Sequence, residues 1–201
     1  MMKKFLILVG LIASTSAFAQ ADKFSGFSVG LNTGFAASKV KTVDTGDSST
    51  FAPGATNTPF DINFAYTMSL ASNTTVGFGL TYDLSSPKVI NVSDQSSSTL
   101  TTDGKLNNHY SIYIEPGYAF NDSSLGYFKL GYHSGKMALE GVSKSITGTG
   151  YGFGMRHLID KNLYLNLGVE SIRYNSATFS DLSATAQLTQ TLATVGIGYK
   201  F

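Results

Sequence analysis

Large apolar side chains recur at every second position in eight segments of this chain. In one segment, Phe60, Ile62 and Phe64 alternate with Asp61 and Asn63. The eight segments lie at about 27–35, 60–70, 76–84, 110–120, 128–133, 150–156, 163–170 and 194–201. Strict alternation of this length is typical of β-strands whose two faces meet different environments. The pattern therefore predicts an all-β chain built from eight strands.

The residues between the large apolar ones indicate which environments these are. A soluble sheet carries Lys, Glu and Arg on its outward face, but here the intervening residues are mostly Gly, Ser, Thr and Asn. Only 13% of the chain is charged, about half the usual share of a soluble domain. Small polar residues suit the interior of a narrow closed barrel whose large apolar residues face lipid.

The connections between the segments alternate strictly in length. Three are short, at 71–74, 121–124 and 159–162, and four are long and polar, at about 38–58, 85–107, 135–147 and 175–186. Outer-membrane barrels have short periplasmic turns and long extracellular loops. We therefore predict an eight-stranded antiparallel up-and-down transmembrane β-barrel, with four polar loops as its recognition surface.

The first 19 residues have the three parts of a secretory signal. Lys3 and Lys4 precede an apolar run, which is followed by the sequence Ala17-Phe18-Ala19, and this order predicts cleavage after Ala19. The predicted domains are a signal peptide at 1–19 and a barrel at 20–201. Without Lys3 and Lys4, the 14 basic residues become 12, against 13 acidic ones. This balance indicates no nucleic-acid partner.

The last strand carries the closest likeness to a known family. Val195, Ile197, Tyr199 and Phe201 alternate with small or polar residues at the end of the sequence. Together with the signal peptide and the eight strands, this strand resembles the small outer-membrane barrels of the OmpA, OmpX and opacity-protein type. The resemblance implies that these four residues form the signal read by the β-barrel assembly machinery. It also implies that the peptidoglycan-binding domain of full-length OmpA-type proteins is absent.

Several charged residues have the parity that faces the interior of the predicted barrel. Glu115, Lys129, Arg156 and Glu170 are among them, and charges in a confined interior are costly unless they are paired. The short turn at 121–124 predicts an ion pair between Glu115 and Lys129, with Arg156 reaching Glu170 or Glu115. This network could be a polar plug, which we favour, or the lining of a narrow ion path.

Two further groups are weighed as chemical sites. Asp61 and Asp83 are expected to face each other across the hairpin turned at 71–74, where paired carboxylates could hold a cation weakly.

His109 and Ser111 share one strand face with Glu115, and these are the parts of a nucleophilic triad. Their spacing resembles that of outer-membrane lipid A deacylases. In that family, however, the site faces the membrane, and Ile112 stands here where that family has Asn.

The favoured function is therefore a non-enzymatic outer-membrane barrel with a structural and surface-presenting role. A narrow ion or solute channel is the first alternative, and a lipid A-modifying hydrolase using His109 and Ser111 is the second. The expected partners are outer-membrane lipid, lipopolysaccharide, periplasmic chaperones and the assembly machinery. The sequence has no Cys, which excludes a thiolate metal site, and neither a resident metal nor a cofactor is expected.

Overall fold

A computed structural model of the chain describes residues 20–44, 50–51, 54–91, 103–139, 142–179 and 184–201. The predicted signal peptide and the polar tract at 94–99 lie outside these ranges. Among the described residues, no helix has both the length and the apolar character needed to span a membrane.

Twelve strands and one short helix make up the described chain. The 3₁₀ helix Ala21–Phe24 comes first. The strands are β1 Gly26–Asp44, β2 Thr50–Phe51, β3 Gly54–Asn57, β4 Phe60–Ser69, β5 Thr74–Asp83, β6 Lys88–Asn91, β7 Asp103–Asn121, β8 Ser124–Leu139, β9 Val142–Leu158, β10 Leu163–Tyr174, β11 Ala177–Phe179 and β12 Ala184–Lys200.

Eight of these strands form a closed antiparallel ring in the order β1, β4, β5, β7, β8, β9, β10 and β12. The ring closes between β12 and β1, which pair from Ser28 opposite Lys200 to Asp44 opposite Ala184. The short strands β2 and β3 pair with β1, β6 pairs with β7, and β11 pairs with β12. The predicted eight-stranded up-and-down barrel is confirmed.

The two faces of the ring alternate as the sequence predicts. Outward side chains such as Phe35 and Phe153 are about two-thirds exposed, at 70% and 67%. Inward neighbours such as Ser111 and Glu115 are buried. The outward apolar surface is the surface that a lipid bilayer covers.

The ring strands extend further than predicted at the end that carries the long connections. β1 continues to Asp44, β7 begins at Asp103, and β8 and β9 reach Leu139 and Val142. A strand of 19 residues is about 60 Å long, much longer than a tilted strand needs to cross an apolar band of about 25 Å. The expectation of polar loops across these whole stretches was therefore wrong, because pairing with neighbouring strands satisfies the backbone there.

The barrel interior has three layers. At the outer end, the one with the long connections, ten buried residues from eight strands pack together in what we call the outer apolar layer. Its members are Val40, Val89, Leu106, Met137, Ile146, Ile172, Tyr174, Phe179, Ala186 and Leu188. A polar layer follows at the middle, and a small cluster of Phe24, Ala119 and Leu125 lies at the opposite end.

Candidate functional site in the barrel lumen

The polar layer surrounds a small cavity in the middle of the barrel. The cavity has a volume of about 60 Å³, which is room for only a few water molecules. Its lining includes four acidic residues, two basic residues and two histidines, which are Asp61, Asp83, Glu115, Glu170, Lys129, Arg156, His109 and His133. The space is therefore small and its walls are strongly polar.

Arg156 on β9 and Glu115 on β7 form the first ion pair in this layer. The Arg156 Nη2 donates to Glu115 Oε2 at 3.0 Å, and both side chains are 7% exposed. The guanidinium also lies over the rings of Tyr127 and Tyr164, with its Cζ 5.4 and 5.0 Å from their centroids. The charged head is thus held between a carboxylate and two aromatic faces, an arrangement that favours Arg.

Lys129 on β8 pairs with Glu170 on β10, two strands away. Its Nζ lies 3.0 Å from Glu170 Oε2 and 4.5 Å from the centroid of the Tyr113 ring. The expected pairing of Lys129 with Glu115 was therefore wrong, although the neighbouring pair of Ile114 and Leu130 in the β7–β8 register brings the two residues close to each other. The glycines of β9 between β8 and β10 leave room for the longer reach, because Gly150 and Gly152 have no side chains to block it.

The histidines join this network, which the sequence reasoning missed. His109 Nδ1 lies 3.0 Å from Asp83 Oδ2, and His133 Nε2 lies 3.0 Å from Glu170 Oε1. The two rings meet at 3.2 Å between His109 Nε2 and His133 Nδ1. Their shared inward parity is the signal in the sequence that could have found this contact.

Asp61 and Asp83 lie directly opposite each other on β4 and β5, as expected. Asn32 donates from Nδ2 to Asp61 Oδ1 at 2.7 Å, while Asp83 is bound by His109. Within the described ranges, no group of three or more His, Cys, Asp and Glu residues has the arrangement of a metal site. The two carboxylates are engaged by side chains, and a weak cation site there stays a prediction.

His109 and Ser111 both face the lumen and are buried. Both ring nitrogens of His109 are occupied, one by Asp83 and one by His133. The imidazole therefore has no nitrogen left to activate the Ser111 hydroxyl as a general base.

The predicted assembly residues form an outward row on the last strand. Val195, Ile197 and Tyr199 are each close to half exposed, and Phe201 is 73% exposed. The rings of Tyr199 and Phe201 meet edge to face with centroids 5.2 Å apart. The Phe201 N–H donates to the carbonyl of Phe27 at 2.8 Å, so this end of the row is tied to the first strand.

Comparison with known proteins gives one family. Residues 5–201 match the family described as outer membrane protein beta-barrel domain. No curated protein matches the chain in sequence.

Several solved structures are similar to the chain. Ail, the attachment invasion locus protein of Yersinia pestis, is 20% identical, covers 88% of this chain and 99% of its own, and has a TM-score of 0.48. Neisserial surface protein A is 16% identical, with 88% and 98% covered and a TM-score of 0.49. OprG from Pseudomonas aeruginosa is 15% identical, with 88% and 96% covered and a TM-score of 0.48. From the family match and the closed ring of eight strands, the chain belongs to the outer-membrane β-barrel family and is a protein of the bacterial outer membrane.

Proposed function

We propose that this protein is a closed, non-enzymatic barrel that supports and presents its extracellular loops. The outer apolar layer carries the proposal, because it fills the barrel with packed side chains from β1, β6, β7, β8, β9, β10, β11 and β12. Leu106 and Met137 within it are fully buried. Ions do not cross a dry apolar layer without losing their hydration, which is very costly.

The opposite end of the barrel supports the same proposal. The 3₁₀ helix lies beneath the turn between β4 and β5, where Ala21 N–H donates to the Ser72 carbonyl at 3.0 Å and the Ser69 hydroxyl donates to Asp22. Phe24 from this helix packs with Ala119 and Leu125. The polar layer thus lies between apolar clusters at both ends of the barrel, which supports its role as a plug.

Planar-bilayer recording tests the closed barrel against the narrow channel. We expect the refolded wild-type protein, Glu115→Gln and Lys129→Met to give the same baseline current as bilayers that receive detergent alone. A steady wild-type conductance that either substitution abolishes or alters would overturn the closed barrel and establish the channel.

The lipid A hydrolase is tested by mass spectrometry of lipid A from cells with and without the protein. We expect an unchanged acyl pattern, because His109 and Ser111 lie inside the barrel, away from the lipid. Loss of one acyl chain that His109→Gln restores would establish the enzyme instead.

Basic residues at the outer end of the barrel favour lipopolysaccharide as its lipid partner. Five exposed basic residues point outward from the ring strands around the outer apolar layer. They are Lys39, Lys41, Lys105, Lys136 and Arg173. Such cations suit the phosphates at the base of lipopolysaccharide.

We expect lipopolysaccharide in vesicles to raise the urea concentration at the midpoint of unfolding of the wild-type barrel. The combined change Lys105→Gln and Lys136→Gln should reduce that gain, and Lys161→Gln in a short turn serves as the control. An equal gain in all three proteins would contradict the proposal.

The outward row of Val195, Ile197, Tyr199 and Phe201 on the last strand, which we call the terminal row, supports recognition by periplasmic chaperones and the β-barrel assembly machinery. We expect Phe201→Ala to lower the fraction of folded barrel in outer membranes. The folded fraction is measured on SDS gels as the band whose mobility changes when the sample is boiled. Phe120→Ala is the matched control, because Phe120 is also a highly exposed aromatic, at 60%, and lies outside the last strand. Equal assembly of both variants would contradict the role of the terminal row.

A further inference from the structure

Five ionisable side chains form one continuous hydrogen-bonded line across the polar layer, which we call the histidine chain. It runs from Asp83 through His109 and His133 to Glu170, with contacts of 3.0, 3.2 and 3.0 Å. Lys129 completes it, donating to the second oxygen of Glu170 at 3.0 Å. The chain links β5, β7, β8 and β10.

The two imidazoles at its centre are shielded from water. The side chains of His109 and His133 are 6% and 2% exposed, and their rings are nearly parallel, with 5° between the planes. Tyr174 on β10 meets both rings edge-on, at 6.2 and 6.5 Å. Asp61 on β4 lies across from Asp83 and is bound by Asn32, and β9 presents Gly150 to His133.

The hydrogen bonds of the histidine chain require a definite number of protons on the two rings. An ionised carboxylate only accepts hydrogen bonds, so His109 Nδ1 and His133 Nε2 each carry a proton. The contact between His109 Nε2 and His133 Nδ1 needs one further proton, on either nitrogen. All three contacts are hydrogen bonds only when the two rings together hold three protons; two neutral rings hold two protons and two cationic rings hold four.

The charge count agrees with this proton count. Three protons on two rings give a single positive charge, and Lys129 supplies a second. These balance the negative charges of Asp83 and Glu170, so the histidine chain is neutral as a whole. Neutrality matters because a buried charge without a partner is expensive.

We propose that the histidine chain is a buried proton-binding site in which His109 and His133 share one proton, and that this site makes barrel stability depend on pH. Removing the shared proton leaves two nitrogen lone pairs facing each other at 3.2 Å. Adding a fourth proton brings two N–H groups and two cations face to face. Both changes break the central hydrogen bond of the chain.

The sign of the pH dependence follows from comparing folded and unfolded states. Unfolded imidazoles take up their second proton at about pH 6.5. Below that pH the unfolded chain holds more protons than the folded one, so stability falls as the pH falls. Above it the folded chain holds more, so stability falls as the pH rises. A difference of one proton changes the unfolding equilibrium constant by about tenfold per pH unit.

Urea unfolding of the refolded full chain in detergent micelles, at pH values from 5.5 to 8, tests this site. We expect wild type to show a stability maximum near pH 6.5 and His133→Gln to lose it, because glutamine carries no titratable proton. His157→Gln is the control: His157 is exposed, bonds Ser124 at 3.1 Å, and should leave the maximum unchanged. A flat or monotonic wild-type profile, or a maximum retained in His133→Gln, would overturn the proposal.

Nitrogen NMR of wild-type protein labelled at histidine gives a second test that needs no variant to fold. Between pH 6.5 and 7.5, we expect three protons on the four ring nitrogens of His109 and His133. Two or four protons in that range would overturn the shared-proton site.

Discussion

The middle and the outer end of this barrel have opposite polarity, although the same strands build both. Along β8, the inward series changes from His133 in the polar layer to Met137 in the outer apolar layer. The outward series changes in the reverse sense, from the apolar ring of Tyr132 to Lys136. On β10, inward Glu170 gives way to Tyr174, while outward residues change from apolar to Arg173.

This inversion follows from what surrounds each part of the ring. At membrane depth the outside is lipid, so apolar residues face outward. A polar interior is stable there when its buried charges are paired, because pairing offsets their desolvation. Beyond the membrane the outside is water, and the hydrophobic effect drives apolar residues inward as in a soluble protein. The outer extension is therefore a small water-soluble β-structure built on a transmembrane barrel.

The largest stability effect should come from unpairing a charge in the polar layer. Arg156→Met leaves Glu115 buried without its partner, and such a change costs about 3–5 kcal/mol. We expect a correspondingly lower free energy of unfolding in urea titrations. The double variant Glu115→Gln with Arg156→Met should be closer to wild type, because neither charge remains buried. Equal losses in both variants would show that packing, rather than charge, dominates this layer.

A truncation in the outer apolar layer should have the next largest effect. Met137 is fully buried, and Met→Ala changes in cores cost about 2–5 kcal/mol. Its neighbour Lys136 is exposed, and Lys136→Ala should change the free energy of unfolding by less than about 0.5 kcal/mol. Similar values for the two alanine variants would contradict a packed outer layer.

A smaller effect is expected where a methyl group is added to the polar layer. A Cβ on Gly150 would lie 2.5 Å from His133 Nε2 and 2.8 Å from Glu170 Oε1, so Gly150→Ala should cost about 1–3 kcal/mol. A Cβ on Gly77 has its nearest atom, Thr67 Oγ1, at 3.3 Å. Gly77→Ala is the control and should lower the free energy of unfolding by less in the same urea titrations. A larger loss for Gly77→Ala than for Gly150→Ala would mean that His133 and Glu170 move apart easily.

Much of the architecture could be predicted from the alternation of residues. The eight ring strands, their outward faces and the inward position of Glu115, Lys129, Arg156 and Glu170 all follow from a period of two. The direct opposition of Asp61 and Asp83 also follows, because a short hairpin turn determines its own register.

The partners across the lumen could not be predicted in the same way. Local register gives the nearest residue on the next strand, but Lys129 crosses the glycines of β9 to reach Glu170. The outer apolar layer was missed because its members are spread singly through polar stretches. In β7, an irregularity between Asn107 and Tyr110 shifts the register, with Asn108 at a φ of 50°. Asn tolerates this left-handed conformation, and the shift turns Leu106 inward.

Cysteine labelling at two adjacent positions tests the inverted polarity most directly. Because the chain has no Cys of its own, Lys136→Cys and Met137→Cys can each be treated on intact cells with a membrane-impermeant maleimide. We predict labelling at position 136 and protection at position 137, with position 137 becoming reactive after heat unfolding. Equal labelling of the two positions on intact cells would contradict the account of a closed outer end above the membrane.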